Sequence, residues 1–133
     1  MIVAYDYNSQ QPRFYSKYFA ERNPQVYNVP IGNATGASSA APTYFDPKVN
    51  VNGFGMDELL IDGGIICNDP AMYAYQLAKN MHNEKKVRVM SVGTGEKPFK
   101  TVDAKTMNIF DYVSKMGEFM MNMDTYTADN WLK

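Results

Sequence analysis

The stretch Leu59-Leu60-Ile61-Asp62-Gly63-Gly64 limits what this chain can fold into more than any other. Three apolar residues lead into an acid, and two glycines follow at once. This is the pattern of a buried strand that delivers a carboxylate to the edge of a sheet. The glycines allow a sharp turn and remove side chains that would crowd a ligand. Met56 to Asp62 is therefore read as a strand, and Asp62 as a candidate functional carboxylate. The competing reading is an acid that merely bonds the amides of its own turn.

The residues after this stretch continue the pattern. Ile65-Ile66-Cys67 leads to Asn68-Asp69-Pro70, where Asp69 suits a helix N-cap and Pro70 the first helical position. A helix is predicted from Ala71 to about Met81, packing through Ala71, Ala74, Leu77 and Ala78. Val87 to Val92 reads as a further strand, ending in the glycine turn Gly93-Thr94-Gly95. Strand, helix and strand in that order predict a βαβ unit, with a parallel pairing and a right-handed crossover. In open α/β sheets ligands bind at the carboxyl ends of strands, which places Asp62 and Gly93-Thr94-Gly95 on one edge. The tail from about Asn108 is predicted as a long helix, since Ile109, Tyr112, Val113, Met116, Met120 and Met123 recur at helical spacing.

Upstream, Ile2 to Tyr7 reads as a strand, Asn8 to Pro12 as a turn and Arg13 to Phe19 as a returning strand, which together make a hairpin. Glu21 to Gln25 reads as a loop. Val29 to Ala41 consists almost wholly of small residues and is predicted as a helix able to approach a neighbouring backbone closely. It begins near Pro30 and is stopped by Pro42. Thr43-Tyr44-Phe45 is expected to run extended. Asp46 to Gly55 is expected to be a loop, broken by Pro47, Asn50, Asn52, Gly53 and Gly55.

Other candidate groups have a plain structural reading. Gly36-Ala37-Ser38-Ser39-Ala40 comes close to G-x-S-x-G, but Ala40 stands where the second glycine belongs. No apolar strand feeds into it as a nucleophile elbow requires, so close packing is the expected role of Ser38 and Ser39. His82, the single histidine, is expected to cap the end of the helix before it. One histidine and one cysteine make no metal cage, and no cofactor is expected. Cys67 cannot form an internal disulfide, which fits a reducing compartment.

Net charge is −1 without a basic stripe, which argues against a nucleic-acid partner. No apolar run approaches the roughly 20 residues that span a bilayer, and Met1 to Asp6 lacks the features of a signal peptide. A cytoplasmic or peripheral-membrane location is the expectation. The 133 residues form one domain or a piece of one.

Three segments carry a resemblance. Ala34 to Phe45, Ala-Thr-Gly-Ala-Ser-Ser-Ala-Ala-Pro-Thr-Tyr-Phe, resembles the A-T-S-A-A-P-T-Y-F segment of patatin-like phospholipases. Leu60 to Pro70 resembles their D-G-G/A segment, which runs on to N-x-P and a helix. Ser91 to Gly95 looks like their S-L-G-T-G strand end. The likeness extends over roughly Ile2 to Asn130. It implies part of a three-layer α/β/α sandwich with a mostly parallel sheet. It also implies hydrolysis of phospholipids or other acyl lipids by a Ser–Asp dyad without histidine, and peripheral contact with membranes. By motif, Asp62 takes the place of the dyad aspartate, which accepts the serine proton directly. The family's nucleophile lies in G-x-S-x-G, and its oxyanion hole in a glycine-rich loop. Neither motif occurs in these residues, and in family order both precede Met1. The resemblance thus implies the C-terminal portion of a single patatin-like domain, residues 1–133, which holds the base without the nucleophile and is inactive alone. The alternative is a short non-catalytic relic that serves as a binding or partner protein.

Overall fold

In the computed structural model, residues 1–82, 86–92, 108–112 and 115–116 are described. The chain divides into two units, Met1–Pro70 and Ala71–Lys133.

The first unit starts with a hairpin. Strand β1 (Ile2–Asp6) pairs antiparallel with β2 (Gln11–Tyr15), with Ile2 opposite Tyr15 and Asp6 opposite Gln11. The Asp6 carboxylate shapes the turn by accepting from the Asn8 backbone N–H at 3.1 Å and from the Ser9 hydroxyl. Pro12 lies inside β2 instead of ending the turn. It is tolerated because β2 is an edge strand, where a missing N–H breaks no ladder. The returning strand stops at Tyr15, earlier than Phe19. Ser16 then caps helix α1 (Lys17–Arg22), its hydroxyl accepting from the Phe19 N–H. Helix α2 (Pro24–Tyr27) starts on a proline, so Glu21 to Gln25 is largely helical and not a loop.

Helix α3 (Ile31–Ser38) is the small-residue helix that the composition predicts. Its buried residues Ala34 and Ala37 pack with Ala4, Tyr15 and Leu60 in the core of the unit. Alanines facing alanine bring helix and sheet close together, while Tyr15 supplies most of the bulk. After Pro42 the chain turns instead of extending. The Tyr44 and Phe45 N–H groups both donate to the Ala41 carbonyl, and Tyr44 is exposed.

The expected loop from Asp46 to Gly55 contains β3 (Lys48–Val51), which returns through a tight turn into β4 (Asp57–Asp62). The breakers Asn52, Gly53 and Gly55 form that turn. The Asn52 side-chain oxygen accepts from the Phe54 and Met56 N–H groups at 3.0 and 3.1 Å. Strand β4 also pairs antiparallel with β1, giving the order β2-β1-β4-β3.

The expectation of a mostly parallel sheet is therefore wrong, because all three pairings are antiparallel. Two of them follow from connections too short to reverse the chain any other way. The strand ending in Asp62 was predicted correctly, but its partner β3 was taken for a loop. Val87 to Val92, the expected parallel partner, is neither helix nor strand.

Alternation along the strands puts Ile2, Ala4 and Asp6 on one face with Glu58, Leu60 and Asp62. The Asp6 end of this face is charged and buried. Arg13 lies 2.7 Å from Asp6 and 3.2 Å from Glu58, and both acids are only 2% exposed. Asn50 donates to the second Glu58 oxygen at 2.9 Å, and the Leu59 N–H donates to Asp6 at 3.3 Å. With one guanidinium shared by the two carboxylates and a donor on each carboxylate oxygen, the cluster offsets much of the cost of burying ions. Beside it Tyr15 is buried, and its hydroxyl has no hydrogen-bond partner among the described residues. Burial first, and then the negative charge of Glu58, push the Tyr15 phenol up to about 12.

In the second unit, helix α5 (Ala71–Met81) matches its prediction, and residues 109–112 and 115–116 are helical at the start of the expected tail helix. Gly93-Thr94-Gly95 and the remainder of that helix, including Met120 and Met123, lie outside the described residues. No helix among the described residues is long and apolar enough to cross a membrane.

Candidate functional site

Asp62 is the last residue of β4, opposite Ala4 in the register with β1. Its own N–H donates to the Ala40 carbonyl at 3.0 Å, which ties the end of the strand to the exit of α3. The following glycines have separate reasons. A side chain at Gly63 would run into the Val3 carbonyl group of β1, so only glycine lets the chain pass that close. The Gly64 N–H donates to Asp62 Oδ1 at 2.7 Å. A side chain at Gly64 would begin 3.1 Å from that same oxygen. Helix α4 (Gly64–Cys67) starts here and carries the chain away from the strand.

Asp62 is half-buried, and the Gly64 amide is the one hydrogen-bond donor on its carboxylate among the described residues. The donor holds Oδ1 and leaves Oδ2 without a partner among the described residues. A carboxylate fixed in this way keeps one oxygen able to accept a proton from a group placed beside it.

The carboxylate opens into a cleft of about 400 Å³, lined entirely by the first unit. That size falls within the range of small-molecule sites. Ile2, Val3 and Cys67 supply apolar surface. Thr35, Ser38, Ser39 and Asn68 supply polar groups, and Asp62 is the one charged side chain in the lining. The Thr35 hydroxyl donates to the Ile31 carbonyl at 2.9 Å and the Ser39 hydroxyl to the Thr35 carbonyl at 2.8 Å. Ser38 is half-buried, and its hydroxyl makes no hydrogen bond among the described residues.

Sequence reasoning singled out Asp62 and set Ser38 and Ser39 aside as packing residues. The helix around the serines is present, but the packing falls to Ala34 and Ala37, while Ser38 and Ser39 face the cleft. A signal was available. Ser38 lies four residues beyond the buried Ala34 and so sits on the sheet-facing side of α3, at its open end. Asn68, also in the lining, had been seen only as part of a turn. His82 follows α5 in the second unit, exposed, with its N–H donating to the Ala78 carbonyl. Cys67 is buried, and its thiol donates to the Asp69 carbonyl at 3.4 Å. Among the described residues no three His, Cys, Asp or Glu side chains come together as a metal site.

Comparison with known proteins bears on the motif resemblance directly. Patatin-like protein 2 of Oryza sativa subsp. indica is 28% identical over 152 aligned positions, covering 96% of this chain. This chain is similar to patatin-like proteins. Patatin-like protein 2 of Arabidopsis thaliana is 32% identical over 56% of the chain, and the cUMP-AMP-activated phospholipase of Escherichia coli is 38% identical over 54% of it. The chain spans 37% of the length of the rice patatin-like protein, 19% of the Arabidopsis one and 23% of the Escherichia coli phospholipase. No family model and no solved structure matches the chain. The patatin-like resemblance read from three short motifs thus extends, at modest identity, over nearly the whole sequence.

Proposed function

We propose that this chain is part of a lipid acyl hydrolase of the patatin-like kind and that it contributes the base of a Ser–Asp dyad, Asp62. Residues 1–133 correspond in this reading to the C-terminal portion of one patatin-like domain. The serine nucleophile and the oxyanion donors come from outside these residues. Asp62 Oδ2 accepts the serine proton as the serine oxygen attacks the ester carbonyl. The acyl group passes to serine as the C–O bond to the alcohol part of the lipid breaks, and that alcohol leaves with the proton held by Asp62. Water, giving its proton to Asp62 and through it back to serine, then releases the acyl group as a free acid. The substrate is a phospholipid or another acyl lipid, reached by peripheral contact with a lipid surface.

One observation carries this reading. The residue that the motif assigns as the base stands at a strand end beside a cleft, held by a single amide, with one carboxylate oxygen unused. The apolar side of the cleft suits an acyl chain. The similarity to a protein named as a phospholipase agrees with the chemistry. The test is to join the chain to the segment encoded upstream. The longer protein should hydrolyse a short-chain acyl ester and carry a G-x-S-x-G serine that a fluorophosphonate labels. A longer protein without such a serine, or inert toward acyl esters, would contradict the reading.

A further inference from the structure

Three hydroxyls from α3 and its cap line the cleft beside Asp62, and they differ in one respect. Thr35 and Ser39 spend their hydrogens on carbonyls of their own helix, as serines and threonines commonly do. Ser38 does not. Ser38 is a half-buried residue of the cleft wall, and its hydroxyl, open to the cleft, has no hydrogen-bond partner among the described residues. The bond from the Asp62 N–H to the Ala40 carbonyl anchors the end of α3 to the end of β4, so the hydroxyl and the carboxylate belong to one rigid corner. A hydroxyl whose hydrogen no carbonyl of its own helix holds is free to donate to a ligand acceptor.

From this geometry we infer that Ser38 is a substrate-binding residue whose hydroxyl donates a hydrogen bond to the ester carbonyl of an acyl lipid seated in the cleft. The inference rests on the acyl-ester reading of the Asp62 site. Ser38 is not the nucleophile. It stands in the last turn of α3, where the helix dipole opposes a developing alkoxide. It also makes no hydrogen bond to Asp62, and no other base lines the cleft.

The test uses the longer protein that includes the upstream segment, with its G-x-S-x-G serine changed to alanine so that no ester is turned over, and two soluble probes, monooctanoylglycerol and its ether analogue 1-O-octylglycerol, which lacks the carbonyl. Binding is followed by chemical-shift titration. Ser38→Ala should weaken monooctanoylglycerol binding by roughly 2- to 12-fold, the ratio that corresponds to one net hydrogen bond. It should leave the ether analogue unchanged. Lys17→Ala, at an exposed position of α1 outside the cleft, should match the parent on both probes, and Ser38→Thr, which keeps a hydroxyl, should restore ester binding. Equal ester binding by parent and Ser38→Ala would overturn the inference and leave the acyl-ester site standing. An equal loss on both probes would overturn the carbonyl contact. Failure of the parent chain to bind either probe would remove the acyl-ester reading of the cleft, and this inference with it. Fluorophosphonate labelling of Ser38 would show a nucleophile in place of a donor.

Discussion

Glu58 and Asp62 lie four residues apart on the same strand and point to the same face of the sheet, yet their surroundings are opposite. Glu58 is 2% exposed, paired with Arg13 through one oxygen and bonded to Asn50 through the other. Asp62, roughly 13 Å further along the strand, has one amide on one oxygen and an open cleft beside it. Leu60 and Ala4 separate the two ends with packed apolar surface. An acid whose acceptor sites are filled holds structure together. An acid with a spare oxygen at a cleft is free for chemistry. Residue type does not distinguish the two, but the number of partners does.

The largest expected effect on this contrast comes from its closed end. Arg13→Ala leaves two buried carboxylates without their cation and should cost about 3–5 kcal/mol of unfolding free energy in denaturant titration. A loss below about 1 kcal/mol would mean that the cluster is solvated and the contrast false. Next comes alkaline pH. The Tyr15 phenol ionises near 10 when exposed and is pushed up to about 12 in the fold. Between these values the unfolded chain releases the proton first, so the contribution is complete below pH 10 and is lost as pH rises through 12. The loss should reach at most about 3 kcal/mol. Tyr15→Phe should abolish this alkaline slope in a pH series of melts. It should also stabilise the chain at neutral pH, by about 1 kcal/mol or more, since it removes a buried hydroxyl without a partner. At the open end, Gly63→Ala forces a methyl group against the Val3 backbone and should cost about 1–3 kcal/mol. The smallest effect belongs to Asp62→Asn. Asparagine keeps an acceptor for the Gly64 amide, so stability should stay within about 0.5 kcal/mol of the parent.

The same contrast shows what could be read from the sequence. The stretch from Leu59 to Gly64 was legible as a strand ending in a carboxylate, because an apolar run followed by Asp-Gly-Gly has few other solutions. The small-residue helix and α5 were legible for similar reasons of composition and period. The sheet was not. Its pairing depends on β3, whose four residues Lys48-Val49-Asn50-Val51 sit among turn formers and carry little apolar signal. With β3 read as loop, β4 had no hairpin partner, and the later apolar segment from Val87 to Val92 was recruited as a parallel one. The charged cluster was hidden as well. Asp6, Arg13 and Glu58 look like surface residues until strand register brings them together across 52 positions of chain. Ser38 was undervalued because small residues in a helix announce close packing and do not reveal which of them face the cleft.

The most direct test compares two isosteric variants in the longer protein that includes the upstream segment, with turnover of an acyl ester measured alongside the melting temperature. Asp62→Asn should lower turnover by roughly 10²–10⁴, the scale of losing a general base, while melting with the parent. Glu58→Gln should melt earlier and retain turnover per folded molecule. Full turnover in the Asp62→Asn protein would contradict the assignment of Asp62 as the base.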